Sequence, residues 1–175
     1  MIHTLLGHVE EPADVLTEAC RVLKSNGLLG VCDVYFSTMS VSITNNDPLN
    51  SCVEAFKGNF VNDKWIARKL IKLVSENEFN VNPIRVNENV ETDSAEMSMN
   101  WIDRGADALV KKKGTIGESL ACELKAEARR RKSSNMFLEN VSYVAMMAKK
   151  LNKKILIELF LLKIWGQGCR SQRKI

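Results

Sequence analysis

The feature that most constrains this chain is the uninterrupted apolar run Leu28-Leu29-Gly30-Val31-Cys32, closed by Asp33, which follows directly on a helical pattern. Upstream of it, Pro12 suits the first position of a helix. Val15, Leu16, Ala19, Cys20 and Leu23 then recur at a spacing that puts them on one stripe, and Asn26-Gly27 ends the helix. A continuous apolar run of this length is the form of a strand covered on both faces, as in a parallel sheet. The order is therefore helix, buried strand, then an acid at the strand's carboxyl end, which in open α/β sheets faces the ligand crevice. Nine glycines and three prolines in 175 residues are too few for a barrel or sandwich of many short strands, so an α/β chain is expected.

The rest of the body continues the alternation. Asp47-Pro48 opens a helix over Leu49 to Lys57, and Asn62 or Asp63 caps another whose stripe is Ile66, Leu70, Leu73 and Val74. Val81, Ile84, Val86 and Val90 suggest a strand, at an edge or with a bulge because Pro83 cannot donate to the ladder. Asp93 is expected to cap a helix running through Trp101, Ile102, Ala106 and Leu109 to Lys111. Thr115 and Glu118 match a capping box for a helix with the stripe Ile116, Leu120, Leu124 and Ala128. The run Arg129 to Lys132 at its end is expected to be solvated, because cations are favoured at a helix C-terminus. Met136 to Lys149, rich in β-formers, reads as a long strand.

Charge divides the chain near Lys150. Residues 149–175 carry +7 and hold Glu158 as their one acid, leaving −3 for residues 1–148 within the net +4. The expected organisation is a body over 1–150 and an apolar, basic extension over 151–175. The extension's apolar run, 155–165, is about half the ~20 residues needed to cross a bilayer. A basic anchor for lipid or nucleic acid is the alternative to a simple solvated tail, and no specific nucleic-acid partner is expected. Five scattered cysteines without a Cys-x-x-Cys pair exclude a disulfide framework and a zinc site, and fit a reducing, cytoplasmic setting. No signal peptide, nucleophilic triad, metal-ligand spacing or P-loop is found, so hydrolase and nucleotide-triphosphatase functions have no support.

Several segments together carry a family resemblance. The run His3-Thr4-Leu5-Leu6-Gly7-His8-Val9, Pro12, Glu18 with Arg21-Val22-Leu23, Gly27-Leu28-Leu29 and Asp33 resembles the second half of a class I S-adenosylmethionine-dependent methyltransferase, from the end of its fourth strand through its fifth. Asp47-Pro48-Leu49, Trp65 with Arg68-Lys69-Leu70, Trp101-Ile102 with Arg104-Gly105-Ala106-Asp107, and Tyr143-Val144 with Ala148-Lys149-Lys150 are similar to the UbiE-like (type 11) small-molecule group. The resemblance covers about residues 1–150. It implies a truncated Rossmann-like methyltransferase fold with strands equivalent to 5, 7 and 6, lacking the N-terminal cofactor-binding half. Ser25-Asn26-Gly27 stands where the family tends to have Pro-Gly-Gly. Asn tolerates a left-handed cap.

The resemblance also implies the chemistry. Methyl transfer from a sulfonium asks the protein to orient the acceptor and, in some cases, to take its proton. His3, Thr4 and Leu5 fall where the family approaches the cofactor. His3 is a candidate base, against the plainer reading of a solvated terminal residue, and His8 is expected to orient the loop before the helix. Asp33 and Trp101 are candidate contacts to a small-molecule acceptor; turn formation for the first and core packing for the second, as for Trp65, are the plainer alternatives. Met97 and Met99 would suit a pocket wall.

The family's glycine-rich turn and ribose-binding acid have no counterpart in this sequence. S-adenosylmethionine, the cofactor of the intact family, is therefore not expected to bind this chain alone. The alternative function is a catalytically inactive remnant that binds a partner, or a second copy of itself, through an exposed strand edge. That edge is expected at Leu28–Cys32, with the run 155–165 as one means of covering it.

Overall fold

The computed structural model describes residues 1–91, 96–112 and 115–152. Its elements are β1 (Ile2–His3), α1 (Pro12–Val22), β2 (Leu28–Ser40), α2 (Leu49–Phe60), α3 (Ile66–Glu76), β3 (Phe79–Val81), β4 (Arg85–Glu91), α4 (Glu96–Lys111), α5 (Glu118–Ser133) and β5 (Glu139–Lys150). The expected helix cap at Asp93 and the tail run 155–165 lie outside the described residues.

Every described strand joins one sheet. β1 pairs with β2 in parallel, and β5 is inserted antiparallel between β2 on one side and β3 and β4 on the other. This is the expected contiguous block of strands 5, 7 and 6, with β1 added as the end of the preceding strand. Pro83 falls between β3 and β4, which meet the same edge of β5, so the missing donor divides one edge strand into two.

Two cores hold the sheet. Leu29 and Val31 of β2 with Val144, Met146 and Ala148 of β5 face α1 and α3, where Leu16, Cys20, Ile66, Leu70 and Val74 close a buried layer together with Ile2, Leu6 and Phe79. The second core surrounds the upper end of the sheet: Val34, Phe36, Met39 and Val141 pack against α2, α4 and α5 through Val53, Phe56, Trp101, Ile102, Leu124 and Ala128. The α2–α4 crossing is close because of Gly105, where a Cβ would lie 1.9 Å from the carbonyl oxygen of Cys52. No larger residue fits that crossing without moving a helix.

Four expectations are corrected. The strand that begins at Leu28 does not end at Asp33; it runs on to Ser40, with an irregularity in its pairing to β5 between Tyr35 and Ser40. Nor is it covered on both faces: Leu28 is 61% exposed, and Met147, the β5 partner of Gly30, 43%. The last helix has Gly117 rather than Thr115 at its N-cap, and its buried stripe is Ala121, Leu124, Ala128 and Arg131, with Leu120 exposed. Arg131 is not solvated. Its guanidinium is buried and ion-paired to Asp47 at 2.5 Å and to Glu127 at 2.7 Å, tying the end of α5 to the turn before α2. By contrast, Asn26 adopts the left-handed φ of 64° that an Asn-Gly stop suggests.

Candidate functional site at the end of the parallel pair

The parallel pairing is two residues long, Ile2 with Val31 and His3 with Cys32, and is extended by the Thr4 N–H, which donates to the Cys32 carbonyl at 2.9 Å. There the backbone turns sharply. Thr4 has a φ of 46°, left-handed and costly for a β-branched residue. Such strain persists only where the surroundings over-determine it. Asp33 supplies that constraint: fully buried, it accepts the Leu6 N–H at Oδ2 and its own neighbour's, the Val34 N–H, at Oδ1, both at 2.8 Å. Its carboxylate therefore holds the loop leaving β1 to the middle of β2.

His8 fastens the far side of this loop. Its Nδ1 donates to the Phe60 carbonyl at the end of α2 (2.8 Å), its ring meets Phe36 edge-on at 5.2 Å, and Asn62 donates to its backbone carbonyl. The Gly7 carbonyl accepts the Asp63 N–H, which sets the loop against the start of α3. Beside it Arg68 lies over the exposed Trp65 at 4.8 Å and donates to the Tyr35 hydroxyl.

The structure thus gathers His3, Thr4, Leu5 and Asp33 around one loop. His3 is exposed, with Nδ1 3.1 Å from the Thr4 hydroxyl; Leu5 is 39% exposed. Asp33 stands behind the loop, and both its oxygens are engaged by backbone. Trp101 belongs to the α2–α4–α5 core and packs near Phe56, ring centroids 6.1 Å apart. Met99 packs at the margin of that core, and Met97 is exposed.

By strand alternation His3 shares a face with Cys32, its register partner, and with Gly30, Ala145 and Met147. That face is the one α1 and α3 leave bare. A groove of about 590 Å³ lies along it, lined by Met1, Gly30, Cys32, Pro83, Arg85 and Met147 among others. Sequence reasoning missed this groove because it treated 28–32 as doubly covered. The signal present was the alternation of β5, which turns Ala145 and Met147 away from the face carrying Val144, Met146 and Ala148. Among the described residues no group of three His, Cys, Asp or Glu is placed to hold a metal ion, and no described helix is long and apolar enough to cross a membrane.

No protein-family model matches the sequence, and no curated protein does. Solved structures do match. A protein of Bacillus halodurans C-125 solved as a candidate methyltransferase is 16% identical, with a TM-score of 0.50 over 86% of this chain and 62% of that one. The [4+2]-cyclase SpnF (15% identity, TM-score 0.40) covers 86% of this chain and 49% of its own. A candidate sarcosine dimethylglycine methyltransferase from Galdieria sulphuraria (12%, 0.39) covers 85% of this chain and 51% of its own. The first likeness shows the fold: these residues have the architecture of part of a methyltransferase-type domain. The chain spans 62% of the first of these proteins and about half of the other two.

Proposed function

We propose that this chain is the acceptor-side part of an S-adenosylmethionine-dependent methyltransferase domain that acts on a small molecule. The observation that carries the reading is the strained loop at the end of the parallel pair, with Thr4 left-handed, Asp33 spent on holding it and His3 open beside it. Strain maintained at the carboxyl end of a parallel strand marks the ligand side of an α/β sheet. His3 is the side chain positioned to accept a proton from a bound acceptor, with the Thr4 hydroxyl fixing its ring; α2, α4 and α5, with Trp101 in their core, wall the acceptor's side.

The residues present do not fit the cofactor as a complete site. Asp33 is fully buried behind the loop, out of reach of a ribose hydroxyl, and Arg85, the one charged side chain lining the groove among the described residues, has the same sign as a sulfonium. None of the described residues is assigned to the donor's wall, and no step is drawn through it.

The test is a chimera. The corresponding N-terminal portion of the Bacillus halodurans protein, joined ahead of Met1, is expected to bind S-adenosylhomocysteine with micromolar affinity. A soluble, folded chimera with no affinity for the ligand would contradict the reading.

A further inference from the structure

The lower half of the sheet is open on one face. α2, α4 and α5 cover that face at Val34, Val141 and Tyr143, but among the described residues none covers it at Gly30, Cys32, Ala145 and Met147, where the groove of about 590 Å³ runs. The edge of β2 that was expected to be raw is paired to Ile2 and His3, so the open apolar surface is a face rather than an edge. The ladder registers lay out its floor. Arg85 of β4 stands opposite Ala145, Ala145 opposite Cys32, and Cys32 opposite His3, a row about 14 Å long across three strand spacings. One step towards the foot of the sheet, Met147 stands opposite Gly30. A Cβ on Gly30 would lie 3.4 Å from the Met147 Sδ and 3.7 Å from the Met1 Cγ, so the two methionines flank a stretch of floor that has no side chain of its own.

We propose that this groove binds a single-chain amphiphile, an unbranched apolar tail ending in a carboxylate, with the carboxylate on Arg85 and the tail laid across β5 and β2. Size is the first support. The groove's volume of about 590 Å³ falls inside the range of about 300–1,000 Å³ over which small molecules are held. The lining is the second. Gly30, Ala145, Met1 and Met147 offer apolar surface, and flexible thioether side chains adapt to a tail of no fixed shape. Charge decides the head. Arg85 is the one charged lining residue among those described, and no described acid pairs with it, whereas Arg129, Arg130 and Arg131 of α5 each meet a carboxylate. An unpaired guanidinium beside apolar surface is complemented by a planar carboxylate, which its fork engages through two N–H donors. The site requires no methyl donor, so it stands or falls apart from the methyltransferase reading.

The probe is octanoate, titrated calorimetrically into the 175-residue chain, with octanol as its uncharged counterpart and light scattering to follow mass in solution. Octanoate is expected to bind saturably, one molecule per chain, about tenfold more tightly than octanol. Arg85→Gln should remove that preference while leaving the affinity for octanol and the melting temperature of the unliganded chain unchanged. Gly30→Val, which sets a strand-favouring side chain on the floor, should weaken both ligands about tenfold or more. Cys32, a partly exposed thiol in the middle of the row, reports where the ligand sits: saturating octanoate should slow its alkylation by a charged maleimide about tenfold and leave the exposed Cys122 unaffected. The proposal is overturned if octanoate gives no saturable binding, if Arg85→Gln keeps the preference for octanoate over octanol, or if Cys32 reacts at the same rate with and without the ligand. It is equally overturned if octanoate binds only by dissociating a dimer, which would make the face an interface between copies. Sedimentation of the chain with phosphatidylglycerol vesicles in the absence of any binding of free octanoate would also overturn it, in favour of a membrane surface.

Discussion

Asp33 and Leu6 are joined by a hydrogen bond across 27 residues of sequence: the buried carboxylate in the middle of β2 accepts the backbone N–H of Leu6 at 2.8 Å. With the Val34 N–H on its other oxygen, Asp33 does for the loop after β1 what a cap does for a helix. The loop's shape, including the left-handed Thr4, depends on it.

Replacing Asp33 with Ala leaves two buried N–H donors unpaired, and each costs about 1–3 kcal/mol. Asp33→Ala should therefore lower the unfolding free energy by about 3 kcal/mol in urea titration. Hydrogen exchange should be fastest to respond at Thr4 and Leu6. A loss below about 1 kcal/mol would mean the carboxylate does not hold the loop.

The Asp47–Arg131 pair gives a pH signature. Burial pushes the Asp47 carboxyl up, but the Arg131 guanidinium and the N–H groups of Ile43 and Leu49 outweigh it and hold it below the usual carboxylate range. Glu127 is held at about 2 by its hydrogen bonds from Arg130 and Arg131. Both folded-state values are depressed, so the unfolded chain binds more protons in acid. The stability these groups contribute is complete above the ordinary carboxylate values near about 4 and is lost as pH falls from there toward about 2. Asp47→Asn should cost about 3 kcal/mol at neutral pH, because it leaves a buried guanidinium half-paired. It should also flatten the acid side of the stability profile. An unchanged slope would show that the pair does not govern acid unfolding.

Gly105→Ala should destabilise by about 2–3 kcal/mol or more, since the new methyl meets the Cys52 carbonyl on a neighbouring helix. Gly58, where an added methyl would have nothing within 4 Å, is the control, and Ala there should be neutral or slightly stabilising. Thermal melts of the two variants distinguish crowding from helix propensity.

The sequence was legible where one element decides one face. The α1 stripe and the Asn26-Gly27 stop were readable from spacing, as was the Pro83 interruption that divides β3 from β4, because these are local rules. What could not be read locally depends on partners far away in the chain. Asp33 looked like the end of a strand because an acid inside one is costly, and only the Leu6 N–H explains it there. Arg131 looked solvated within a basic run until Asp47, 84 residues earlier, came to meet it. The face of β2 bearing Gly30 and Cys32 looked buried because composition cannot tell one covered face from two. Around the candidate site, His3, Thr4 and Leu5 were found together, whereas the groove was not foreseen.

The central claim is that these residues supply the acceptor's side of a methyltransferase domain and not the donor's. Calorimetric titration of the 175-residue chain with S-adenosylmethionine tests it most directly. No saturable heat is the predicted result, and saturable binding with micromolar affinity would contradict the claim.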